Sequence, residues 1–137
     1  MAVLVLKDAY ALINAVDLSD HIRSITINYE AEIQDKTVMG ATGRGKIAGL
    51  TNASIDITFA QDYAAGEVDA TLHPLIGAAA FAFIIKPNGS STGVTNPRFY
   101  GNAVLASYNP ISGSVGDFAE AQATFEVDGT LSRATSD

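Results

Sequence analysis

The chain has 137 residues, of which 47% are hydrophobic and 17% charged, and its formal net charge at pH 7 is −7. This length suits a single domain, residues 1–137, and the composition is typical of a folded chain with a sizeable core. The sequence has no cysteine, which excludes a disulfide framework and thiolate chemistry. The Lys and Arg residues are scattered apart from Arg44 and Lys46, so we do not expect a basic groove that wraps nucleic acid.

The ends and apolar runs of the sequence carry no membrane signal. Residues 1–6 are apolar but lack the basic region and cleavage site of a signal peptide. The longest apolar run, residues 75–85, is too short to span a bilayer. We therefore predict no membrane insertion and a product that is cytosolic when made.

Strands are predicted along most of the chain, because apolar and polar residues alternate with a period of two. A short strand is expected near residues 10–16. Turn signals such as Asn109-Pro110 and Asp128-Gly129 separate the longer runs. In chain order, the other predicted strands cover residues 25–29, 53–59, 81–85, 99–108 and 121–127.

One segment, at about 62–77, has a helical pattern. Its apolar residues at helical spacing are Val68, Leu72, Leu75 and Ile76. Gly66 and Pro74 interrupt the pattern, so we expect a short or broken helix. Six or seven strands with one short flanking helix predict an all-β fold, a β-sandwich or barrel.

A long loop is predicted between two early strands, at about 34–47. Loops of this length in small domains are usually functional or disordered. Residues 40–46 match the first seven positions of a phosphate-binding loop, but Ile47 replaces the Ser or Thr that would ligate magnesium. A strand follows instead of a helix, so no helix N-terminus is available for phosphate. We interpret the segment as a flexible glycine-rich loop and expect no cofactor.

The chemistry-bearing residues do not form a recognisable catalytic or metal motif. His21 and His73 are too far apart in sequence for a zinc spacing, and no GxSxG elbow is present. The acidic pairs Glu30/Glu32 and Glu126/Asp128 each share a strand face, which is more often a solvated face than a calcium or glycosidase site. We therefore do not predict an enzyme.

Several segments are more informative through their order and spacing than singly. They are LSDHIRSITINYE (18–30), TVMG (37–40), AGL (48–50), QDY (61–63), TL with PLI (71–72, 74–76), YNPISGSVGD (108–117) and DG (128–129). In this order, the chain from Asp17 to Arg133 resembles the tail tube (major tail) proteins of long, non-contractile-tailed bacteriophages.

The resemblance implies a structural virion protein and a set of partners. It implies a β-sandwich-like or barrel core whose open sheet edges continue between subunits. Subunits would form hexameric rings in the host cytoplasm and stack into the virion tail tube around a tape-measure protein, with terminator and baseplate proteins at the ends. DNA would pass through the lumen without specific binding, since an acidic lumen repels phosphates.

The resemblance also implies roles for particular residues. The loop would reach a neighbouring subunit or ring, with Met39 as its apolar anchor. The candidate interface residues are Asp35, Lys36, Val38, Met39, Arg44 and Lys46. The candidate lumen carboxylates are Glu30, Glu32, Asp56, Glu126 and Asp128. The N-terminal segment 1–9 and the C-terminal tail 130–137 are further candidate assembly arms.

Two alternatives remain open at this point. A non-enzymatic binding or adhesion β-sandwich would cluster its exposed aromatic residues on one face, and the available ones are Tyr63, Phe99, Tyr100 and Tyr108. A secretion-system tube protein would share the ring plan. Arg44 and Lys46 favour self-assembly, because a basic loop complements the acidic surface of an identical subunit.

Overall fold

Seven strands form one antiparallel sheet in the computed structural model, which describes residues 7–40 and 42–136. In chain order they are β1 (Tyr10–Ile13), β2 (Val16–Asp17), β3 (Ile22–Asp35), β4 (Lys46–Ala60), β5 (Phe81–Lys86), β6 (Arg98–Ser112) and β7 (Glu120–Ala134). The order across the sheet is β2-β1-β5-β6-β7-β4-β3. The predicted all-β class with one short helix is confirmed.

The sheet curls around a single core. Alternate residues of each long strand point inward, and Phe59, Phe83 and Phe125 are among the largest fully buried side chains. The Phe81 ring meets the Phe125 ring edge-on, with centroids 5.8 Å apart. The β3 edge also approaches the other half of the sheet. Ile25 and Ile27 of β3 line one cleft of 260 Å³ with Ile85 of β5 and Phe99 of β6, although these strands lie far apart in the sheet order.

The predicted strand at 10–16 is divided by a tight hairpin. Asn14 and Ala15 have φ values of 49° and 68°. Two successive positive φ values define the type I′ turn that joins strands by two residues. β1 and β2 therefore pair with each other, Ile13 opposite Val16.

The helix is shorter than the predicted span of about 62–77. Residues 61–67 form a loop instead, in which the Asp62 carboxylate accepts the Ala64 backbone N–H at 2.9 Å and Gly66 has a φ of +76°. Helix α1 covers only Val68–Leu72. It tightens into a 3-10 turn at His73–Leu75 because Pro74 cannot donate the next helical hydrogen bond.

The loop between β3 and β4 is shorter than the predicted span of 34–47, because the residues at both ends of that span belong to a projecting two-stranded ribbon. β3 and β4 pair as far as Asp35 opposite Lys46, so the connection is residues 36–45. β4 pairs with β7 only from Ser54 to Ala60. Residues 30–52, here called the arm, therefore extend beyond the core by roughly 20 Å at 3.3 Å per residue. Along the arm each strand pairs only with the other, and two-stranded ribbons by themselves are marginally stable in water.

The structure describes the two terminal segments predicted as assembly arms to different extents. β7 continues to Ala134, so most of the tail 130–137 lies in the sheet, and Leu131 is buried. Residues 1–6 of the N-terminal segment lie outside the described residues. Within the described part of the chain, no helix is long and apolar enough to cross a membrane.

Candidate assembly surfaces

The base of the arm's loop is held by local hydrogen bonds. The Lys36 N–H donates to the Gly45 carbonyl at 2.9 Å, and the Gly45 N–H donates to the Thr37 hydroxyl at 2.8 Å. Asp35 accepts the Thr37 N–H at 2.8 Å and contacts Arg44 Nη1 at 3.1 Å. Hydrogen bonds from Thr37, assisted by Arg44, hold the pKa of Asp35 below its ordinary value. Of the predicted interface residues, Asp35 and Arg44 thus engage each other within the subunit.

Apolar side chains are exposed at the tip of the arm, residues 36–45, and along its two strands. Val38 is 72% exposed and Met39 is 100% exposed. Further exposed apolar residues along the arm are Ile33, Ile47 and Leu50, and Tyr29 is exposed just before it. Single exposed apolar residues are ordinary, and a group of them along one projecting ribbon makes the arm a candidate contact surface. Lys36 and Lys46 flank the tip and are also exposed.

Four of the five acidic candidates share one exposed face of the sheet. Asp56 lies beside Thr124 of β7, whose hydroxyl donates to the carboxylate at 2.9 Å. Glu126 and Asp128 follow at alternate positions of β7, and Glu30 continues the same face on β3. Glu32 lies at a register shift between β3 and β4, so its position does not follow from the alternation.

A second apolar surface lies at the turn between β6 and β7. Ile111 is 85% exposed, Val115 106% and Phe118 63%. These three residues are here called the turn surface. The Arg23 guanidinium lies 4.8 Å from the centroid of the Phe118 ring and 3.5 Å from the Glu120 carboxylate, so the aromatic side chain is held in place. The sequence pattern contained residues 108–117 as a family segment but gave no sign that this turn exposes apolar residues.

The strand end below the turn is braced by half-buried and exposed polar contacts. The Tyr108 hydroxyl donates to Asp69 at 2.8 Å and accepts from the Gln61 amide at 3.1 Å. Burial, aided by Asp69, raises the pKa of Tyr108 to about 12, although the Gln61 hydrogen bond acts in the opposite direction. The Tyr63 hydroxyl donates to the Pro110 carbonyl at 2.8 Å. The loop after β4 and helix α1 therefore fix the end of β6.

His21 is brought beside two carboxylates that are remote in sequence. Its Nε2 lies 3.0 Å from Asp62 and 3.4 Å from Glu67. Hydrogen bonds from the Ala64 backbone N–H and from His21 lower the pKa of Asp62. The three ligand atoms are close enough to hold a metal ion. However, His21 Nδ1 is buried without a hydrogen-bond partner. A metal on Nε2 would leave an unpartnered buried N–H there, so the geometry fits an Nε2–H···Asp62 hydrogen bond better.

The aromatic residues of the adhesion alternative do not form one platform. Tyr63 and Tyr108 lie near the β6–β7 turn, whereas Phe99 and Tyr100 lie at the start of β6, at the opposite end of that strand. The Arg98 guanidinium covers the Tyr100 ring at 4.4 Å. Sugar-binding sandwiches need several aromatic faces presented together, and these four are divided between two ends.

Comparison with solved structures finds chains of similar fold in gene transfer agent particles and in the SPP1 tail tube. A chain of the native gene transfer agent virion superposes with a TM-score of 0.77 at 18% identity, covering 96% of this chain and 99% of that one. A chain from the tail of the empty gene transfer agent particle, computed with C6 symmetry, gives 0.63 at 19% identity, with coverages of 82% and 81%. The SPP1 tail tube gives 0.70 at 15% identity, covering 95% and 78%.

A contractile particle has a similar chain as well. The structure of the PVC sheath/tube terminator of an extracellular contractile injection system gives a TM-score of 0.75 at 11% identity, covering 97% of both chains. No protein-family model and no curated protein sequence matches this chain. The resemblance to tail tube proteins is therefore confirmed at the level of the fold, over nearly the whole chain.

Proposed function

We propose that this protein is the subunit of a phage-type tail tube, a structural protein without catalytic activity. The arm is the observation that carries the proposal. It is an exposed ribbon with apolar residues along it, projecting from a fold shared with the SPP1 tail tube. A ribbon of this kind is stable when an adjoining subunit covers it.

In the proposed assembly, six subunits form a ring and rings stack into a tube in the host cytoplasm. The C6 symmetry used for the tail of the gene transfer agent particle supports the ring number. Within the described residues, β3 pairs only with β4 and therefore keeps one free edge. Free strand edges pair readily with another chain, so this edge would continue the sheet into a neighbouring subunit.

The arm would make the contacts beyond the subunit. Met39, the most exposed apolar side chain of the arm, would be its anchor. Val38, Lys36 and Lys46 would contact the adjoining subunit directly. Asp35 and Arg44 would mainly preserve the shape of the loop, because their side chains already engage each other.

The acidic face would line the lumen, through which DNA leaves the virion. The candidate residues are Glu30, Glu32, Asp56, Glu126 and Asp128. Negative charge on this wall would repel phosphates and keep the genome from adhering. Before ejection the lumen would contain a tape-measure protein, and terminator and baseplate proteins would close the ends of the tube.

Thiol labelling tests the lumen assignment, since the native chain has no cysteine. In assembled tubes, we expect the thiol of Glu126→Cys to react with a small maleimide and to resist a bulky polyethylene-glycol maleimide. The same thiol in dissociated subunits should react with both reagents. A Cys at Val94, in the exposed β5–β6 turn, is the control for general reactivity. Full labelling of Glu126→Cys tubes by the bulky reagent would place the acidic face outside.

Negative-stain electron microscopy tests the function itself. We expect the purified protein at high concentration, or with a tape-measure protein, to form rings and hollow tubes. Cross-sections with six-fold symmetry would support the ring number. A strictly monomeric species under both conditions would overturn the proposal.

The second candidate is the tube of a contractile injection system, which the likeness to the PVC sheath/tube terminator structure favours. Both candidates predict rings and tubes, but they differ in what moves through the lumen. An acidic lumen fits DNA better than an arbitrary protein cargo, since DNA carries uniform negative charge. We therefore prefer the hypothesis of a tail tube subunit.

A further inference from the structure

The arm tip and the turn surface lie at opposite ends of the sheet. β4 and β7 are antiparallel neighbours, with Ser54 opposite Glu126 and Ala60 opposite Glu120. The β3–β4 connection therefore leaves the sheet at one end, and the β6–β7 turn leaves it at the other. We call these the arm end and the turn end.

Charge is divided between the same two ends. At the arm end lie six of the eight basic residues, Lys36, Arg44, Lys46, Lys86, Arg98 and Arg133. They are accompanied there by five acidic residues, Asp17, Glu30, Glu32, Asp35 and Asp128. At the turn end, Arg23 is the one basic residue against six acidic ones, Asp20, Asp62, Glu67, Asp69, Asp117 and Glu120. Lys7 and Asp8 line one cleft together with Asp20 and Arg23 and are assigned to neither end. The turn end is therefore strongly acidic, whereas the arm end is close to neutral overall and basic at its tip, where Lys36, Arg44 and Lys46 outnumber Asp35.

We propose that the turn surface is the docking site for the arm tip of a second copy of this chain in the next ring. The inference rests on the proposed tube function and names the surface that receives the arm. Ile111, Val115 and Phe118 offer apolar contact to Val38 and Met39, and both sets are exposed in the single chain. The acidic turn end attracts the basic arm tip, and two turn ends repel each other.

The symmetry of this contact explains elongation. Two different surfaces, one at each end of the molecule, make a heterologous head-to-tail contact. Such a contact leaves an unused arm at one end of every stack and an unused turn at the other. Rings can therefore be added without limit until another protein covers a free end.

The strand end that carries the turn surface is anchored within the subunit. The Tyr63 hydroxyl donates to the Pro110 carbonyl and the Tyr108 hydroxyl donates to Asp69, so the end of β6 next to Ile111 is held in place. Both connections contain glycines with positive φ, Gly40 at the arm tip and Gly113 and Gly116 in the turn. Anchoring the strand end lowers the entropic cost of association at the turn surface.

Cysteine pairing tests the docking site without changing the core. Met39→Cys and Val115→Cys are made in separate proteins, which are mixed, allowed to form tubes, and treated with a short bismaleimide. We expect a strong covalent dimer in the mixture and little in either protein alone. Val94→Cys is the matched control, because Val94 is 81% exposed and lies at the arm end. Its mixture with Met39→Cys should give several-fold less dimer.

The possible outcomes separate this inference from the proposed function. Tubes that form normally but cross-link no more at position 115 than at position 94 would overturn the docking site and leave the tube function intact. Failure of the unmodified protein to form rings or tubes would overturn both. A second variant, Val115→Asp, should melt like the parent yet stop at single rings, whereas Val94→Asp should still elongate. Normal tubes from Val115→Asp would also overturn the docking site.

Discussion

Deletion of residues 38–45 is expected to abolish tube elongation while leaving the subunit folded. The deleted residues lie at the arm tip and include Val38, Met39 and Arg44, and none of the buried core residues is among them. Lys36 and Thr37 would remain to join Asp35 to Lys46, which is the length of a two-residue hairpin. The melting temperature should stay within a few degrees of the parent value, and negative-stain microscopy should show subunits or single rings instead of tubes.

A matched variant separates the loss of the arm tip from strain in the shortened turn. Lys36 and Thr37 are not the residues that a tight hairpin prefers, so the shortened turn itself introduces strain. Replacing them with Asn-Gly in the deletion protein supplies the residues of a type I′ turn. Both deletion proteins should fold and fail to elongate. Tubes of normal length from the Asn-Gly version would show that the arm tip is dispensable.

Replacement of Phe125 by Ala is expected to remove about 3–5 kcal/mol from the free energy of unfolding, as for other buried aromatic residues. Phe125 is 1% exposed, at the centre of β7, and its ring packs edge-on against Phe81. The substitution leaves a cavity and also removes the aromatic pair, which adds about 0.5–1.5 kcal/mol. Small domains have about 5–15 kcal/mol in total, so much of the subunit's stability would be lost.

Urea denaturation followed by circular dichroism measures this change. Phe118→Ala is the control, because Phe118 is 63% exposed and contacts Arg23 at the surface. It should change the free energy of unfolding by less than about 1 kcal/mol, as exposed cation–π contacts do. Equal losses for the two substitutions would contradict the assignment of Phe125 to the core. The Phe125 variant should lose tubes through lack of folded subunit, whereas the deletion variant loses them with the subunit intact.

The strands were predictable where one face is buried and the other exposed. Ile55, Ile57 and Phe59 point inward as the alternation indicated. The arm was missed as a strand because both of its faces are exposed, so its residues have no reason to alternate. The helix was predicted too long. Val68 and Leu72 have the apolar spacing of a helix, but the residues before them form a loop that is held by hydrogen bonds to Asp62.

The candidate site was predictable in part. The exposed tip with Val38 and Met39 lies where the loop was expected, since glycine-rich loops do not contribute to a core. The turn surface was not predictable, because Ile111 and Val115 read as ordinary strand and turn residues in the sequence. Only the position of the β6–β7 turn beyond the end of the core leaves them without cover.

The sequence by itself determined the all-β class, the absence of thiol chemistry and the exposed glycine-rich tip, because these depend on composition and local pattern. The tertiary structure alone decided how charge is distributed. Along the sequence the basic residues are scattered, yet six of the eight lie at the arm end of the folded chain. Antiparallel pairing causes this, since it brings the end of one strand beside the start of the next. Arg98 and Arg133 thus lie on neighbouring strands at one end, although many residues separate them in the chain.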